Sequence, residues 1–345
     1  MKKMKKILAL VLTAVMLFSF AACGNSETPN TPDEVGSTAA DEQGTASGGE
    51  SYVIGICQLV QHEALDAATQ GFKDYLTERL GDRVSFNEQN ASGEPTNCTT
   101  IVSQFVSTNV DLIMANASGA LSAAAAATED IPILGTSITD YATALQMENW
   151  TGTTGMNISG TSDLAPLAEQ AAMIQELCPD AQEVGILYCS AEPNSKYQAD
   201  VVAEELTKLG LTSTVYTFVD TNDVQLVTQN AVDNSDVIYI PTDNTAASNT
   251  TAINNIAEPA GVPIIAGEEG ICKGCGVATL SISYYDLGRR TGEMAYDILV
   301  NGADPATMEI AYASDLTKKA VMERAEALNI TIPEDYEAIV LDSEE

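Results

Sequence analysis

The chain has one histidine, one tryptophan and few cationic side chains: 15 Lys and Arg stand against 49 Asp and Glu, a formal net charge of −34. A single histidine cannot form the His pair of a zinc site. The lone Cys-x-x-Cys, Cys272-Lys273-Gly274-Cys275, has no second copy to complete a four-cysteine site. No Gly-x-Ser-x-Gly elbow, His-Glu-x-x-His helix or phosphate-binding glycine loop occurs. Glu268 and Glu269 form a carboxylate pair, but neighbours on a loop point apart, which is poor geometry for acid–base work. The inventory argues against an enzyme, a resident metal and a cofactor. The scarcity of positive charge argues against nucleic acid and anionic lipid surfaces as partners, and it disfavours a polyanionic ligand. A net-neutral or zwitterionic small molecule suits this field better.

The amino-terminal segment reads as an address. Lys2, Lys3, Lys5 and Lys6 precede an apolar run from Ile7 to Phe20, which is short for a bilayer span, and small residues follow. Residues 1–22 are therefore expected to be a signal peptide. The stretch Phe20-Ala21-Ala22-Cys23-Gly24 resembles a bacterial lipobox, with Phe20 where Leu is commoner. That resemblance implies cleavage before Cys23 and acyl chains on it, an extracytoplasmic protein held to the cell membrane by lipid. Ordinary secretion with an incidental cysteine is the alternative. Residues 24–50 carry no aromatic and no basic side chain and are rich in Ser, Thr, Gly, Ala and acids, the composition of a tether. Loss of four signal-peptide lysines would leave 11 basic against 49 acidic residues, a charge of −38.

Six further cysteines remain: Cys57, Cys98, Cys178, Cys189, Cys272 and Cys275. The glycines around Cys272 and Cys275 suggest a structural turn, with a local disulfide left open. A thioredoxin-like role would require the motif to open a helix after a strand.

What the chain does contain is a repeat. Val53-Ile54-Gly55-Ile56 is matched by Glu183-Val184-Gly185-Ile186-Leu187. Asn109-Val110-Asp111-Leu112-Ile113 is matched by Ser235-Asp236-Val237-Ile238-Tyr239, and Ile131-Pro132-Ile133-Leu134 by Val262-Pro263-Ile264-Ile265, all at an offset of about 130 residues. Short apolar runs at 52–57, 84–87, 110–115 and 131–134 read as buried strands. Helical spacing over 65–80, 98–107 and 121–128 separates them. The second copy offers strands at 184–188, 214–219, 237–240 and 262–265. A helix opened by Ser195 with Gln198 as its capping box ends near Gly210, and a late helix spans 286–300. Strand–helix alternation used twice predicts an α/β protein of two Rossmann-like lobes.

In parallel sheets, ligands gather beyond the carboxyl ends of the strands. That rule selects loops 58–63, 116–119 and 136–140 in the first copy and 189–195, 242–245 and 267–270 in the second. The candidate ligand-binding residues in them are Gln58, His62, Ser118, Gly119, Thr139, Asp140, Asn194, Ser195, Asp243, Asn244 and Thr245. Asp243 offers a carboxylate to a ligand ammonium, or else it caps a helix. Ser118 with Gly119, like Asn194 with Ser195, has the same two readings. His62 is either a cleft residue or a satisfied structural imidazole. Trp150, near the expected end of the first lobe, is a candidate reporter of lobe closure.

Ile54-Gly55-Ile56-Cys57-Gln58 with His62, Ala64-Leu65-Asp66-Ala67 and Gly71-Phe72 resembles the opening of the extracellular solute-binding proteins of ABC transporters, tryptophan/tyrosine-binding group. Asn194-Ser195, Pro241-Thr242-Asp243-Asn244-Thr245 and Asp286-Leu287-Gly288 are similar to later motifs of that group, so the resemblance spans roughly 52–335. Glu63 departs from the proline usual after the histidine, and Asn116-Ala117-Ser118-Gly119 replaces a Thr-Pro-Ala-like loop. The resemblance implies a periplasmic-binding-protein type I fold with a hinge. The first lobe is expected at 51–158 plus about 285–305, the second at 159–284 plus about 306–340. It further implies a lipoprotein subunit of an ABC importer that captures a hydrophobic or aromatic amino acid and delivers it to a permease and its ATPase. A ligand-sensing partner of a membrane receptor shares these features, and a secreted enzyme on the same fold lacks its catalytic residues.

Overall fold

Strand β1 (Tyr52–Gln58) starts where the acidic, Ser/Gly-rich segment gives way to Tyr-Val-Ile-Gly-Ile, and five of its seven residues are buried. The computed structural model describes residues 50–313 and 315–341. The signal peptide, the Cys23 lipidation site and residues 24–49 of the tether lie outside the described residues. From β1 the chain alternates helix and strand. It runs through α1 (Glu63–Leu80), β2 (Val84–Asn90), α2 (Pro95–Ser107), β3 (Leu112–Asn116), α3 (Ser118–Ala127), β4 (Ile133–Ile138), α4 (Tyr141–Ala144) and β5 (Ile158–Ser162). The second copy follows as α5 (Leu167–Leu177), β6 (Glu183–Cys189), α6 (Pro193–Lys208), β7 (Thr212–Phe218), α7 (Val224–Val232) and β8 (Val237–Ile240). It continues through α8 (Asn244–Ala247), α9 (Thr250–Ala260), β9 (Ile264–Ala266), α10 (Glu269–Cys275) and β10 (Ala278–Ser281). The chain then returns as α11 (Tyr284–Asn301), β11 (Ala311–Tyr312), β12 (Thr317–Ala320), α12 (Met322–Ala327) and β13 (Glu337–Ala338).

The two sheets repeat one topology. The first is ordered β11-β5-β4-β3-β1-β2 and the second β13-β12-β10-β9-β8-β6-β7. Every pairing from β5 to β2 and from β10 to β7 is parallel, as βαβ units require. The β12–β10 pairing is antiparallel. Strands covered on both faces need continuous apolar runs, and Leu112, Ile113, Met114, Val237, Ile238 and Tyr239 are all fully buried. Each such side chain stabilises the fold by about 1.5–3 kcal/mol through burial.

The chain crosses between lobes after β5, after β10 and between β11 and β12. The first lobe thus reaches Ser162 rather than residue 158, because Ile158–Ser162 pairs with β4. The returning segment stays with the first sheet through Tyr312 rather than about 305, because β11 pairs with β5. Between those points α11 packs on α1, where Phe72 and Leu76 join Met294, Ala295 and Ile298 in one apolar cluster.

Two local expectations are corrected. Ser195 does not open α6. Pro193 takes the first-turn position that suits its fixed φ and missing N–H, and Glu192 precedes it as N-cap. The Cys-x-x-Cys segment is not a turn but the helix α10, opened by Glu268, whose carboxylate accepts from the Gly270 and Ile271 amides. Cys272 and Cys275 are buried free thiols there. The Arg324 guanidinium satisfies the helix-end carbonyls of Cys272, Gly274 and Gly276.

Candidate functional site

The carboxyl ends of the two sheets face one another, and the repeat sets equivalent residues on opposite walls. His62 is the N-cap of α1 and Glu192 the N-cap of α6. Ser118 opens α3, and Asn244 opens α8. His62 Nε2 lies 3.2 Å from Asn244 Oδ1, a hydrogen bond that spans the cleft. The amide of Asn244 fixes the tautomer: its Nδ2 donates to Glu192, so its Oδ1 accepts, and the proton of His62 sits on Nε2. Burial holds the imidazole below its ordinary pKa, which favours this neutral form. His62 Nδ1 is then a buried acceptor, without a hydrogen-bond partner among the described residues.

Glu192 organises the second wall. Its Oε1 accepts from the Thr245 amide at 2.8 Å and hydroxyl at 2.7 Å. Its Oε2 accepts from the Asn244 amide at 3.0 Å, from Asn244 Nδ2 at 2.7 Å and from Asn194 Nδ2 at 3.3 Å. One buried carboxylate thus orients three neighbouring polar residues through charge-assisted bonds. Beside it a cavity of ≈ 180 Å³ lies between the lobes. Leu59, Val60 and Pro95 line it from the first lobe together with Ser92 and Glu94, and Glu192, Asn244 and Thr245 line it from the second together with Ala191 and Val219. An apolar surface with a few fixed polar groups is the general character of small-molecule sites.

The residues singled out from the sequence divide in two. Gly119, Asn194, Asn244 and Thr245 line the cavity, and Ser118 is buried next to Gly119. Of the others, His62 makes the bond across the cleft, Thr139 is buried after β4, and Gln58, Asp140, Ser195 and Asp243 bond within their own lobes. Gln58 donates to Val60 O and Asp66 and accepts from Thr69, all within the first lobe. Asp140 caps α4 through the Thr143 amide. Ser195 donates to Thr242 O. Asp243, expected to meet a ligand ammonium, instead shows the alternative geometry. Its Oδ1 accepts from the Ala246 amide and its Oδ2 from the Cys189 amide, both at 2.7 Å, and the residue is 1% exposed. Burial first, and the neighbouring Glu192 carboxylate second, push its carboxyl up to about 8. Trp150 stacks on Tyr141 with ring centroids 6.2 Å apart, against the first-lobe core and away from the cavity lining.

Sequence reasoning passed over Glu192 and Asp163. Glu192 lay inside a strand-end loop that was selected, and its position just before Pro193 was the available signal. Asp163 carries no motif. It follows β5 at the first crossover, and its Oδ2 accepts from the Tyr284 hydroxyl at 2.9 Å. Thr139 is buried near it, after β4.

Comparison with known proteins agrees with this architecture. Residues 53–340 match the family model described as ABC transporter substrate binding protein. The chain is 32% identical over 341 residues to the tyrosine-binding protein of Clostridioides difficile strain R20291, covering 96% of each. It superimposes on an ABC domain from Streptococcus pneumonia in complex with L-Trp at a TM-score of 0.81, with 30% identity, over 84% of this chain and all of that one. On a ligand-free, open substrate-binding protein with adhesive properties from Clostridium difficile, 33% identical over the same share, the TM-score is 0.65. In this structure the His62–Asn244 bond joins the two walls of the cleft. These relatives bind solutes and are not enzymes. The chain belongs to the family of ABC transporter substrate-binding proteins.

Proposed function

We propose that this protein captures an aromatic amino acid, tryptophan or tyrosine, between its lobes and presents it to the permease of an ABC importer. Family membership carries the coarser statement, a small-molecule ligand and a transporter partner. The observation that supports the finer one is the interlobe cavity, where Leu59, Val60 and Pro95 stand beside the polar groups that Glu192 holds in place. Of the relatives at about 30% identity described above, one is named as tyrosine-binding and one is in complex with L-Trp, and each is matched over most of this chain. Ligand held by both walls stabilises the closed form because only that form offers both sets of contacts. Isothermal titration of purified protein should give a Kd below about 100 µM for tryptophan or tyrosine. Heat only from sugars or nucleosides would overturn the cargo assignment.

In the same reading the protein is anchored outside the cytoplasmic membrane by acyl chains on Cys23. The supporting observation is the Ala21-Ala22-Cys23-Gly24 sequence at the end of an apolar run. Each buried CH₂ contributes about 0.8 kcal/mol, so several chains give firm retention. Cys23→Ala should move the protein from the membrane fraction to the medium or periplasm. Full membrane retention of that variant would remove the lipid anchor.

A further inference from the structure

The residue after His62 makes a second bridge between the lobes. Glu63 opens α1 of the first lobe, and its Oε1 lies 3.4 Å from Nζ of Lys273 on α10 of the second. Gly270, in the first turn of α10, permits the approach. A Cβ there would lie 3.5 Å from Glu63 Cβ and 3.2 Å from both Glu268 oxygens. Neither Glu63 nor Lys273 lines the cavity beside Glu192.

The charge balance of the chain makes this placement informative. Only 15 Lys and Arg stand against 49 Asp and Glu, and four of those lysines precede Ile7. At the seam between α1 and α10 the second lobe presents two carboxylates. Glu269 is paired with Lys319 of β12, its Oε2 2.6 Å from Nζ. Glu268 is 2% exposed, and its oxygens accept from the Gly270 and Ile271 amides. Burial first, opposed by those amides, and then the charges of Glu63 and Glu269 push its carboxyl up to about 7. Glu63 therefore approaches the second lobe against like charge, and Lys273 turns that approach into attraction. An acid in the first turn also suits the amino end of a helix, but that role asks nothing of a lysine on the other lobe.

We propose that Glu63 and Lys273 are an ionic latch between the lobes, one that favours the closed form independently of the contacts made by the ligand. The pair joins residues of both lobes, so it forms only when they stand together, and its free energy belongs to that form alone. Apparent affinity scales with the fraction of protein able to hold ligand on both walls, so a stronger latch lowers Kd without touching the ligand. The Glu63 side chain is 58% exposed and that of Lys273 25%, which leaves the pair open to screening by solvent ions. Closure is thereby tuned by ionic strength, a setting that the neutral His62–Asn244 bond does not share. The latch rests on the two-lobed architecture, and only the affinity arm of its test rests on the amino-acid cargo proposed above.

The test compares Lys273→Met, Glu63→Gln and the double variant with wild type in the full-length protein. Each is titrated with L-tryptophan and L-tyrosine in about 20 mM and about 500 mM NaCl. In dilute salt Lys273→Met should weaken binding about two- to fivefold, because Glu63 is left facing Glu268. Adding Glu63→Gln should recover part of that loss, so the double variant should bind better than Lys273→Met alone. In concentrated salt the gap between wild type and Lys273→Met should shrink below about twofold. Wild-type affinity in Lys273→Met, a loss of the same size at both salt concentrations, or a double variant weaker than both single ones would overturn the latch and leave the cargo intact. If the wild type binds neither amino acid, the cargo reading falls and the ligand-free proteins decide the latch. Small-angle scattering should then give wild type a smaller radius of gyration than Lys273→Met in dilute salt and an equal one in concentrated salt. Equal radii in dilute salt would overturn the latch as well.

Discussion

Gly288→Leu should destabilise the protein by about 3 kcal/mol, read as a fall of roughly 5–10 °C in melting temperature. Helices α1 and α11 meet backbone to backbone at this point. A Cβ at Gly288 would fall well inside contact distance of Ala68 O and Cα, and one at Gly71 would strike Tyr285 O. These neighbours are main-chain atoms, so no rotamer change relieves the clash, and the helices must separate. Separation would also loosen Phe72 and Leu76 from Met294 and Ile298 and disturb the bidentate Arg289–Glu78 contact at 2.9 and 2.7 Å. The ion pair is solvent-exposed and contributes little, so the loss comes from packing. Gly288→Ala should show the same sign with a smaller effect. Because α11 begins at the second crossover, ligand affinity should weaken along with stability. A leucine variant within about 0.5 kcal/mol of wild type in urea unfolding would mean that the two helices are not held in contact.

The repeat was legible because buried parallel strands leave a strong trace. Ile-Gly-Ile at 54–56 and Val-Gly-Ile-Leu at 184–187 are buried on both faces and so apolar, and their spacing gives the duplicated lobe. Lobe boundaries were less legible. Ile158–Ser162 carries Ser and Thr inside a fully buried strand, and β11 is only two residues long, so neither produces an apolar run. The strand-end rule selects loops at the carboxyl ends of both sheets, but not which side chains in them line the interlobe cavity. Asp243 and Glu192 are both acids in such loops. What separates them is that Asp243 accepts from the backbone amides of Ala246 and Cys189, whereas Glu192 accepts from the side chains of Asn244, Thr245 and Asn194 as well as from two backbone amides. Those distances arise from the pairing of β6 with β8, a contact between residues about 50 apart that no local pattern encodes. The glycines near Cys272 and Cys275 misled in the same way. Gly270 and Gly274 read as turn residues, whereas Gly274 lies inside α10, where Thr250 of α9 comes close enough to exclude a larger residue.

Glu192→Ala should weaken binding of the aromatic amino acid about a hundredfold. The carboxylate receives five hydrogen bonds from Asn244, Thr245 and Asn194, and bonds to a charged group contribute about 1.5–3 kcal/mol each when made in place of water. Solvent can replace some of them in the open form, so the net loss is nearer 3 kcal/mol than the sum, and that corresponds to about two orders of magnitude in Kd. The effect reaches both walls. Without Glu192 the Asn244 amide is free to rotate, and the His62 bond that spans the closed cleft loses its fixed acceptor. Glu192→Gln separates charge from shape. Its amide nitrogen would face donors of Asn244 or Thr245, so it should fall between alanine and wild type. Calorimetry on the three proteins, with melting temperatures measured with and without ligand, resolves the alternatives. Weaker binding with a reduced ligand-induced rise in melting temperature supports a scaffold that presents Asn244 and Thr245 to the ligand. Tighter binding by the alanine variant would mean the opposite: that the carboxylate competes with the ligand for the amides of Asn244 and Thr245, and must be displaced before an amino acid can bind.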